Sequence, residues 1–470
     1  MAEHQKTAAF HNLGCKVNAY ETEAMEQLLQ EAGYRIVPFE ESADVYVINT
    51  CSVTNIADRK SRQMLHRARK RNPDAVVVAA GCYVQTAHDQ THLDVDADVI
   101  IGNNMKKDLA KILADYFAVR GGEDRRREDD ALHILDINHD REYETLQIER
   151  SSEHTRAFIK VQDGCNQFCS YCIIPYARGR IRSRDAEDVQ EEVRRLTAAG
   201  VREIVLTGIH LSSYGLEKSE QAEESSTGND RSAFQGGRAL LALIRAVSQL
   251  PGVERIRLGS LEPRIITEAF VQGLRQIPQL CPHFHLSLQS GSNTVLRRMN
   301  RRYTVEEYAH ACQILREAFD EPALTTDVIV GFPGESEEEF AQAEAYLTAL
   351  GLYETHIFKY SRREGTRAAA MPDQLTERVK NERSARLIAL GEKNKSDYIR
   401  RWDTRPARVL FEEKVTLEGE TYYTGYTREY IRVYAKCDTD LTNQVRSGRL
   451  DCTDPERVLL QPDQTENRSL

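Results

Sequence analysis

The segment Asp163-Gly-Cys-Asn-Gln-Phe-Cys-Ser-Tyr-Cys172 holds Cys165, Cys169 and Cys172 in the spacing C-x3-C-x2-C, with no fourth cysteine in the motif. Soft thiolates this close together suit an iron–sulfur cluster or zinc. A structural zinc site takes four protein ligands and closes itself, whereas three thiolates leave one coordination position open. The bland alternatives are three unrelated thiols or a zinc knuckle that borrows a distant ligand. A second set is dispersed: Cys15, Cys51 and Cys82 each follow a stretch that reads as a strand. Singly, a cysteine at a strand end is an ordinary small buried residue. Three in the same topological place point to a second three-thiolate site.

A sheet must collect those three cysteines. Thr7 to Leu13, Asp44 to Asn49 and Ala75 to Ala80 read as strands, with helices at Asn18 to Ala32 and Thr54 to Arg71 between them. A strand at Ala97 to Ile101 and a helix from Met105 to Tyr116 continue the alternation. Such a pattern predicts an open parallel α/β sheet whose post-strand loops gather at one edge. This domain spans 1–120, and a charged, glycine-containing linker occupies 121–150. In 151–402, the strand Ala157 to Val161 delivers the cysteine loop. Further strands follow at Glu203 to Thr207, Arg255 to Leu258, Phe284 to Leu288, Thr325 to Val330 and Thr355 to Lys359. About six β-α units predict a partial or closed (β/α) barrel, with its chemistry at the carboxyl ends of the strands. Glu217 to Gly237 is polar and without periodicity, and reads as a mobile insertion. Gln374 to Trp402 reads as a charged helix that ends the barrel, and the short strands of 403–470 predict a small β-barrel. The fold class is α/β with three domains.

The C-x3-C-x2-C loop resembles the signature of the radical S-adenosylmethionine (SAM) enzymes. The resemblance implies that Cys165, Cys169 and Cys172 hold a catalytic [4Fe-4S] cluster whose open iron chelates SAM. Leu13-Gly-Cys-Lys-Val-Asn-Ala-Tyr-Glu-Thr-Glu23, Asn49-Thr-Cys-Ser-Val-Thr54 and Ala80-Gly-Cys-Tyr83 narrow it further. Together with the triad they resemble the methylthiotransferases, in which Cys15, Cys51 and Cys82 would hold an auxiliary [4Fe-4S] cluster. Gly-Cys-Lys-Val-Asn and the run Val53-Thr-Asn-Ile-Ala-Asp-Arg-Lys60 are most similar to the branch that acts on N6-threonylcarbamoyladenosine at position 37 of tRNA, beside the anticodon. The resemblance implies an electron donor such as flavodoxin or ferredoxin. It also implies a radical from SAM that initiates attack at the adenine C2, with sulfur from the auxiliary cluster and a methyl group from a second SAM. Rival readings are methylthiolation of N6-isopentenyladenosine or of a ribosomal-protein aspartate. A noncatalytic iron–sulfur or RNA-binding protein is the rival from another class.

At the expected barrel rim, Gly208, Glu262, Gln289 and Asp327 look like contacts to SAM or substrate, each with a plain rim hydrogen bond as its alternative. His210, His283, His285 and His356 read as core or rim histidines and are not assigned to metal. Gly425-Tyr-Thr-Arg-Glu-Tyr-Ile-Arg-Val433 resembles the TRAM module, an RNA-binding barrel of the OB-like kind. Its alternating tyrosines and arginines suit stacking on bases and contact with phosphates, which points to Tyr426, Arg428 and Arg432, with Tyr422 and Tyr423 nearby; the alternative is an ordinary β-barrel whose tyrosines are core.

Composition sets the outer limits. The formal net charge of −10 demands no nucleic-acid partner, so the basic runs Arg59 to Arg71, Arg178 to Arg184 and Arg297 to Arg302 matter only together, as local phosphate-attracting patches. A mean hydropathy of −0.55 and no long apolar run argue against a membrane span. The first residues carry no secretory pattern, so a cytoplasmic location is expected. Six of the ten cysteines fall in the two sets of three, which favours metal ligation over disulfides. Cys281 and Cys312 read as buried thiols.

Overall fold

A computed structural model describes residues 5–87, 95–120, 132–149, 155–218 and 231–462. The first domain is a six-stranded sheet in the order β2-β1-β3-β4-β5-β6. Its strands are β1 (Thr7–Asn12), β2 (Arg35–Val37), β3 (Val45–Thr50), β4 (Val76–Gly81), β5 (Val99–Ile101) and β6 (Leu132–His133). Every pairing is parallel. Continuous apolar runs are what such a sheet requires, because both faces are covered. Val45, Val47, Val76 and Val78 enter one core, while Tyr46, Ile48, Val77 and Ala79 enter the opposite one. Helices α1 (Lys16–Glu31), α2 (Asn55–Arg71), α3 (Cys82–Ala87) and α4 (Leu109–Arg120) connect the strands. Since β1, β3 and β4 are adjacent, the loops bearing Cys15, Cys51 and Cys82 emerge side by side.

The described part of the expected linker is built into the structure. Residues 132–133 add β6, and Leu146 and Ile148 reach the core of the central domain. The glycine-containing stretch from Gly121 to Asp130 lies outside the described residues.

The central domain contains β7 (Arg156–Asp163), β8 (Arg182–Ser183), β9 (Glu203–Gly208), β10 (Arg255–Leu258), β11 (His283–His285), β12 (Ala323–Val330) and β13 (Glu354–Lys359). They form the sheets β10-β9-β7-β8 and β11-β12-β13, which the bridges Ile256–Leu280 and Leu261–Leu286 link into one arc. Short β8 runs antiparallel along β7, and among the described residues β13 pairs only with β12, so the barrel is partial. The outward residues Ile204, Leu206, Leu324 and Val328 join the main core, which leaves a polar lumen. A helix over Arg231–Ser248 begins inside the stretch expected to be a polar insertion, and residues 219–230 lie outside the described ones. Cys281 and Cys312 are buried.

The carboxyl-terminal strands β14 (Pro406–Leu417), β15 (Glu420–Tyr426), β16 (Arg432–Ala435), β17 (Val445–Asp451) and β18 (Leu459–Pro462) form a closed barrel, β14-β15-β16-β18-β17. It covers the amino-terminal ends of the central strands, and some of its tyrosines and arginines take part in that contact. Arg428 Nη2 donates to Pro278 O at 2.6 Å and Leu280 O at 2.5 Å, so this side chain is spent on docking. Tyr426 stacks on Tyr430 with ring centroids 4.5 Å apart, and the Arg156 guanidinium lies 5.1 Å from the Tyr426 ring. Tyr423 is buried in the barrel core, and Tyr422 is buried on the opposite face of β15 against Lys436 and Arg457. Only Arg432, of the three residues assigned to RNA, keeps an exposed side chain, at 47%. The same alternation of aromatic and basic residues serves a domain interface as well as it would an RNA face.

Glu203 anchors that interface. Its carboxylate accepts from Arg257 Nε at 2.8 Å and pairs with Arg156 Nε at 3.3 Å, while Arg255 and Arg257 donate to backbone carbonyls of the small barrel. Burial alone would raise its pKa, but Arg257 and Arg156 outweigh burial and bring it from 4.5 to about 2. Its stabilising contribution is therefore whole above pH 4.5 and lost as pH falls through about 2. Glu203→Gln leaves buried arginines uncompensated and is expected to cost about 3–5 kcal/mol at neutral pH. In urea unfolding, the gap between wild type and variant should narrow across that acid range; a constant gap would refute the assignment.

Candidate iron–sulfur centres and their bridge

Cys15 stands at the N-cap of α1, Cys51 follows β3 and Cys82 opens α3. Gly14 has φ of +118°, and a Cβ there would lie 3.1 Å from Cys51 Cβ and Sγ, so only glycine lets the two loops close together. Asn18 locks them, its Nδ2 donating to Leu13 O at 2.7 Å and Thr50 O at 3.0 Å. Asn103 Nδ2 lies 3.6 Å from Cys82 Sγ and also donates to Ala177 O at 2.7 Å. The three thiols are one another's electrostatic neighbours: burial, then Cys82 and Cys15, push the Cys51 thiol up to about 12. A metal must therefore displace protons to bind here. Three cysteines on adjacent loops with amide donors around them fit a three-cysteine cluster.

The second set leaves β7 through Gly164, whose φ is +71° and where a Cβ would meet Arg180 O at 1.8 Å. The loop is pinned by Cys165 N to Gly179 O (3.0 Å), Ser170 N to Met299 O (3.0 Å) and Ala368 N to Ser170 O (2.7 Å). Gln167 N points at Cys165 Sγ from 3.5 Å and Arg301 Nη1 at Cys169 Sγ from 3.3 Å. Burial raises Cys165 to about 12 and Cys172 further, the neighbouring thiols adding to the effect. Donors aimed at the sulfurs, with a cation beside one of them, suit an electron-accepting cluster.

The rim residues take different parts. Gly208 has Gln162 against it: a Cβ there would lie 2.9 Å from the Gln162 side chain, so packing accounts for this glycine. Glu262 lies 3.4 Å from Gln167 Nε2 in the cysteine loop, beside Arg264 and 3.3 Å from His210 Nε2. Burial opposes its ionisation, but His210 and Arg264 hold its carboxyl well below the usual range. Gln289 adopts φ of +70° and bridges to β12, its N donating to Asp327 O and its O accepting from Ile329 N, both at 2.9 Å. Asp327 is partly exposed on the inner face of the barrel, 3.3 Å from His285 Nε2.

A buried ionic bridge joins the two cysteine sites. Arg178, on the short helix α5 (Ile174–Arg178) after the second set, donates to Glu21 Oε1 at 2.7 Å, Asp163 Oδ2 at 3.1 Å and Asn18 Oδ1 at 2.7 Å. Lys160 reaches Glu21 at 2.9 Å and Asp163 at 3.2 Å, and Lys106 reaches Glu21 at 2.7 Å. Burial works against the carboxylates, yet Arg178 with Lys106 and Lys160 keeps Glu21, and Arg178 with Lys160 and Arg182 keeps Asp163, well below the ordinary range. Three cations thus face two carboxylates, and the surplus positive charge sits beside Cys82 and Cys15. The run Arg178 to Arg184 is accordingly no surface patch, because Arg178, Arg182 and Arg184 are all buried.

Residues 159–347 match the radical SAM superfamily, and residues 7–102 match a family described as uncharacterized protein family UPF0004. Over 93% of this chain and 92% of its own length, a Bacillus subtilis protein named threonylcarbamoyladenosine tRNA methylthiotransferase MtaB is 41% identical. An Aquifex aeolicus protein of the same name is 38% identical over 88% of this chain and 95% of its own. The chain belongs to the radical SAM methylthiotransferase family. An Acetivibrio thermocellus tRNA-2-methylthio-N(6)-dimethylallyladenosine synthase is 32% identical over 95% of this chain and 89% of its own. Among solved structures, the methyltransferase TsrM from Kitasatospora setae shares the fold, with a TM-score of 0.51 and 16% identity over 78% of this chain and 77% of that one.

The family's cofactors are SAM and [4Fe-4S] clusters, and the two cysteine sets are the residues of this chain suited to hold the clusters. Arg178 and Arg301, which a reading of the sequence places in basic runs, are seen in the structure as partners of the cysteine sites. Their signal in the sequence was position alone, one just after a cysteine motif and the other in the run Arg297 to Arg302.

Proposed function

We propose that this methylthiotransferase converts N6-threonylcarbamoyladenosine at position 37 of tRNA to its 2-methylthio form, in the cytoplasm, with electrons from a flavodoxin or ferredoxin. The observation that carries the reading is the pair of three-cysteine sites held together by Arg178, Glu21 and Asp163. The names of the relatives from Bacillus subtilis and Aquifex aeolicus support the choice of nucleoside. Reductive cleavage of SAM at a bound cluster supplies a carbon radical able to attack a C–H bond too weakly acidic for a general base.

The chain's own contribution is to bind and orient. A cleft of about 710 Å3 opens between the domains, lined by Asn55, Asp58 and Tyr83 on one side and by Ile173, Arg362 and Arg363 on the other. Tyr83 and Ile173 directly follow Cys82 and Cys172, so this space adjoins both sites and is large enough for a modified nucleoside. Arg363 fixes its wall through Asn55, Asp58 and Ser52. Val53, Ile56 and Tyr176, exposed nearby, offer apolar surface to an unstacked base. No described helix is long and apolar enough to cross a membrane.

Mass spectrometry of nucleosides after anaerobic incubation with SAM, reductant and tRNA bearing threonylcarbamoyladenosine tests the reading. Gain of a methylthio group is expected; SAM cleavage with unchanged tRNA would exclude this substrate.

Helix α2 is a basic run that faces solvent: Arg59, Lys60, Arg67 and Lys70 are exposed. Reversing Lys60, Arg67 and Lys70 to Glu is expected to weaken tRNA binding about tenfold or more and to lower the salt slope by about one per lost phosphate contact. Filter binding across a salt series measures both, and an unchanged slope would place the tRNA elsewhere.

A further inference from the structure

Three side chains that neither cysteine site uses converge inside the partial barrel. They are His285 on β11, Asp327 on β12 and His356 on β13. Register makes this unavoidable, since Thr325 pairs with His285 and Asp327 pairs with His356 on neighbouring parallel strands. Residues two apart on a strand share a face. All three therefore point to the lumen, opposite Leu324 and Val328, which enter the helix-covered core. One donor atom from each of the three lies within 4.8 Å of the others.

We infer that His285, Asp327 and His356 form a site for one divalent transition cation of the zinc or ferrous class. His285 Nδ1 is engaged with Thr325 Oγ1 at 3.0 Å, which turns Nε2 toward the carboxylate. A partner on the far ring nitrogen is how proteins orient a metal-ligating histidine. That Nε2 is buried and makes no hydrogen bond, although Asp327 Oδ2 is 3.3 Å away. Two donors bound to one tetrahedral cation at about 2.0–2.1 Å stand about 3.3 Å apart, so the pair already has the separation of two ligands. The His285 and His356 rings lie nearly parallel, 5.8 Å between centroids and 21° between planes. His356 is exposed and Asp327 is partly so, which leaves a path for the ion to enter. Two imidazoles and a carboxylate suit zinc or ferrous iron. Three protein ligands leave a position for water or an oxygen of the substrate.

Holoenzyme with both cysteine sites filled with iron and sulfide is the form to test. It is dialysed against a mild chelator, titrated with zinc and desalted, and its zinc and iron are counted by mass spectrometry. About one zinc per chain is expected, with iron unchanged and with X-ray absorption showing only nitrogen and oxygen at about 2.0–2.1 Å. His285→Ala, Asp327→Asn and His356→Gln should each raise the zinc dissociation constant at least about tenfold. His356→Gln alters an exposed position, so it decides the matter if the other two variants fail to fold. A sulfur shell at about 2.3 Å, zinc gained at the expense of iron, or equal zinc in wild type and His356→Gln would overturn the site.

Discussion

Replacing Cys169 by Ala is expected to abolish both SAM cleavage and methylthiolation, while Cys51→Ala should abolish only the second. Cys169 belongs to the loop that leaves β7 and has Arg301 against its sulfur, whereas Cys51 lies among the three adjacent loops of the first sheet. The two sets are separate in chain and in fold, so each variant should lose about half of the iron and keep the other cluster's spectrum. Product should fall at least about a thousandfold in both, because the chemistry the protein positions is supplied by the cofactors. 5′-Deoxyadenosine and modified nucleoside are measured in the same reaction. If Cys51→Ala also stopped SAM cleavage, the division of labour between the two sets would be wrong.

The two cysteine sets were legible in the sequence because they depend on local pattern, whereas their division of labour comes from the family resemblance. Cysteine spacing marked one set, and alternating strands and helices placed the other at a common sheet edge, where adjacent β1, β3 and β4 deliver it. Charge was harder to read. A run of arginines looks the same whether it meets water or carboxylates, and Glu21 lies 157 residues from Arg178 in the chain. Tyr426 and Arg428 are hard to read for a related reason, since both take part in the contact between the small barrel and the central domain. Stacking and guanidinium contacts are as useful between two domains as toward a base, and only the docked structure shows which surface is spent. The short β6 was hidden within a linker because two residues of pairing, 132–133, leave no periodicity to detect.

The bridge at Arg178 yields the second large effect. Radical transfer chemistry tolerates little misplacement, and an error of about 1 Å can cost about a hundredfold. Arg178 spans the sites directly: one amino group of its guanidinium meets Glu21 of α1 and Asp163 at the root of the cysteine loop, and the other meets Asn18, which holds the Cys15 and Cys51 loops. Arg178→Gln is expected to reduce methylthiolated nucleoside per 5′-deoxyadenosine by about ten- to a hundredfold, with SAM cleavage persisting. Stability should fall by about 3 kcal/mol, the low end for a broken buried pair, since Lys106 and Lys160 still balance Glu21 and Asp163. Arg178→Lys separates charge from shape. It restores the cation but not the fork that meets three partners at once, so it should recover stability more than coupling. Denaturant unfolding and the product ratio are read on the same preparations. An unchanged ratio in Arg178→Gln with both clusters intact would show that the bridge is structural only and that some other contact sets the distance between the two centres.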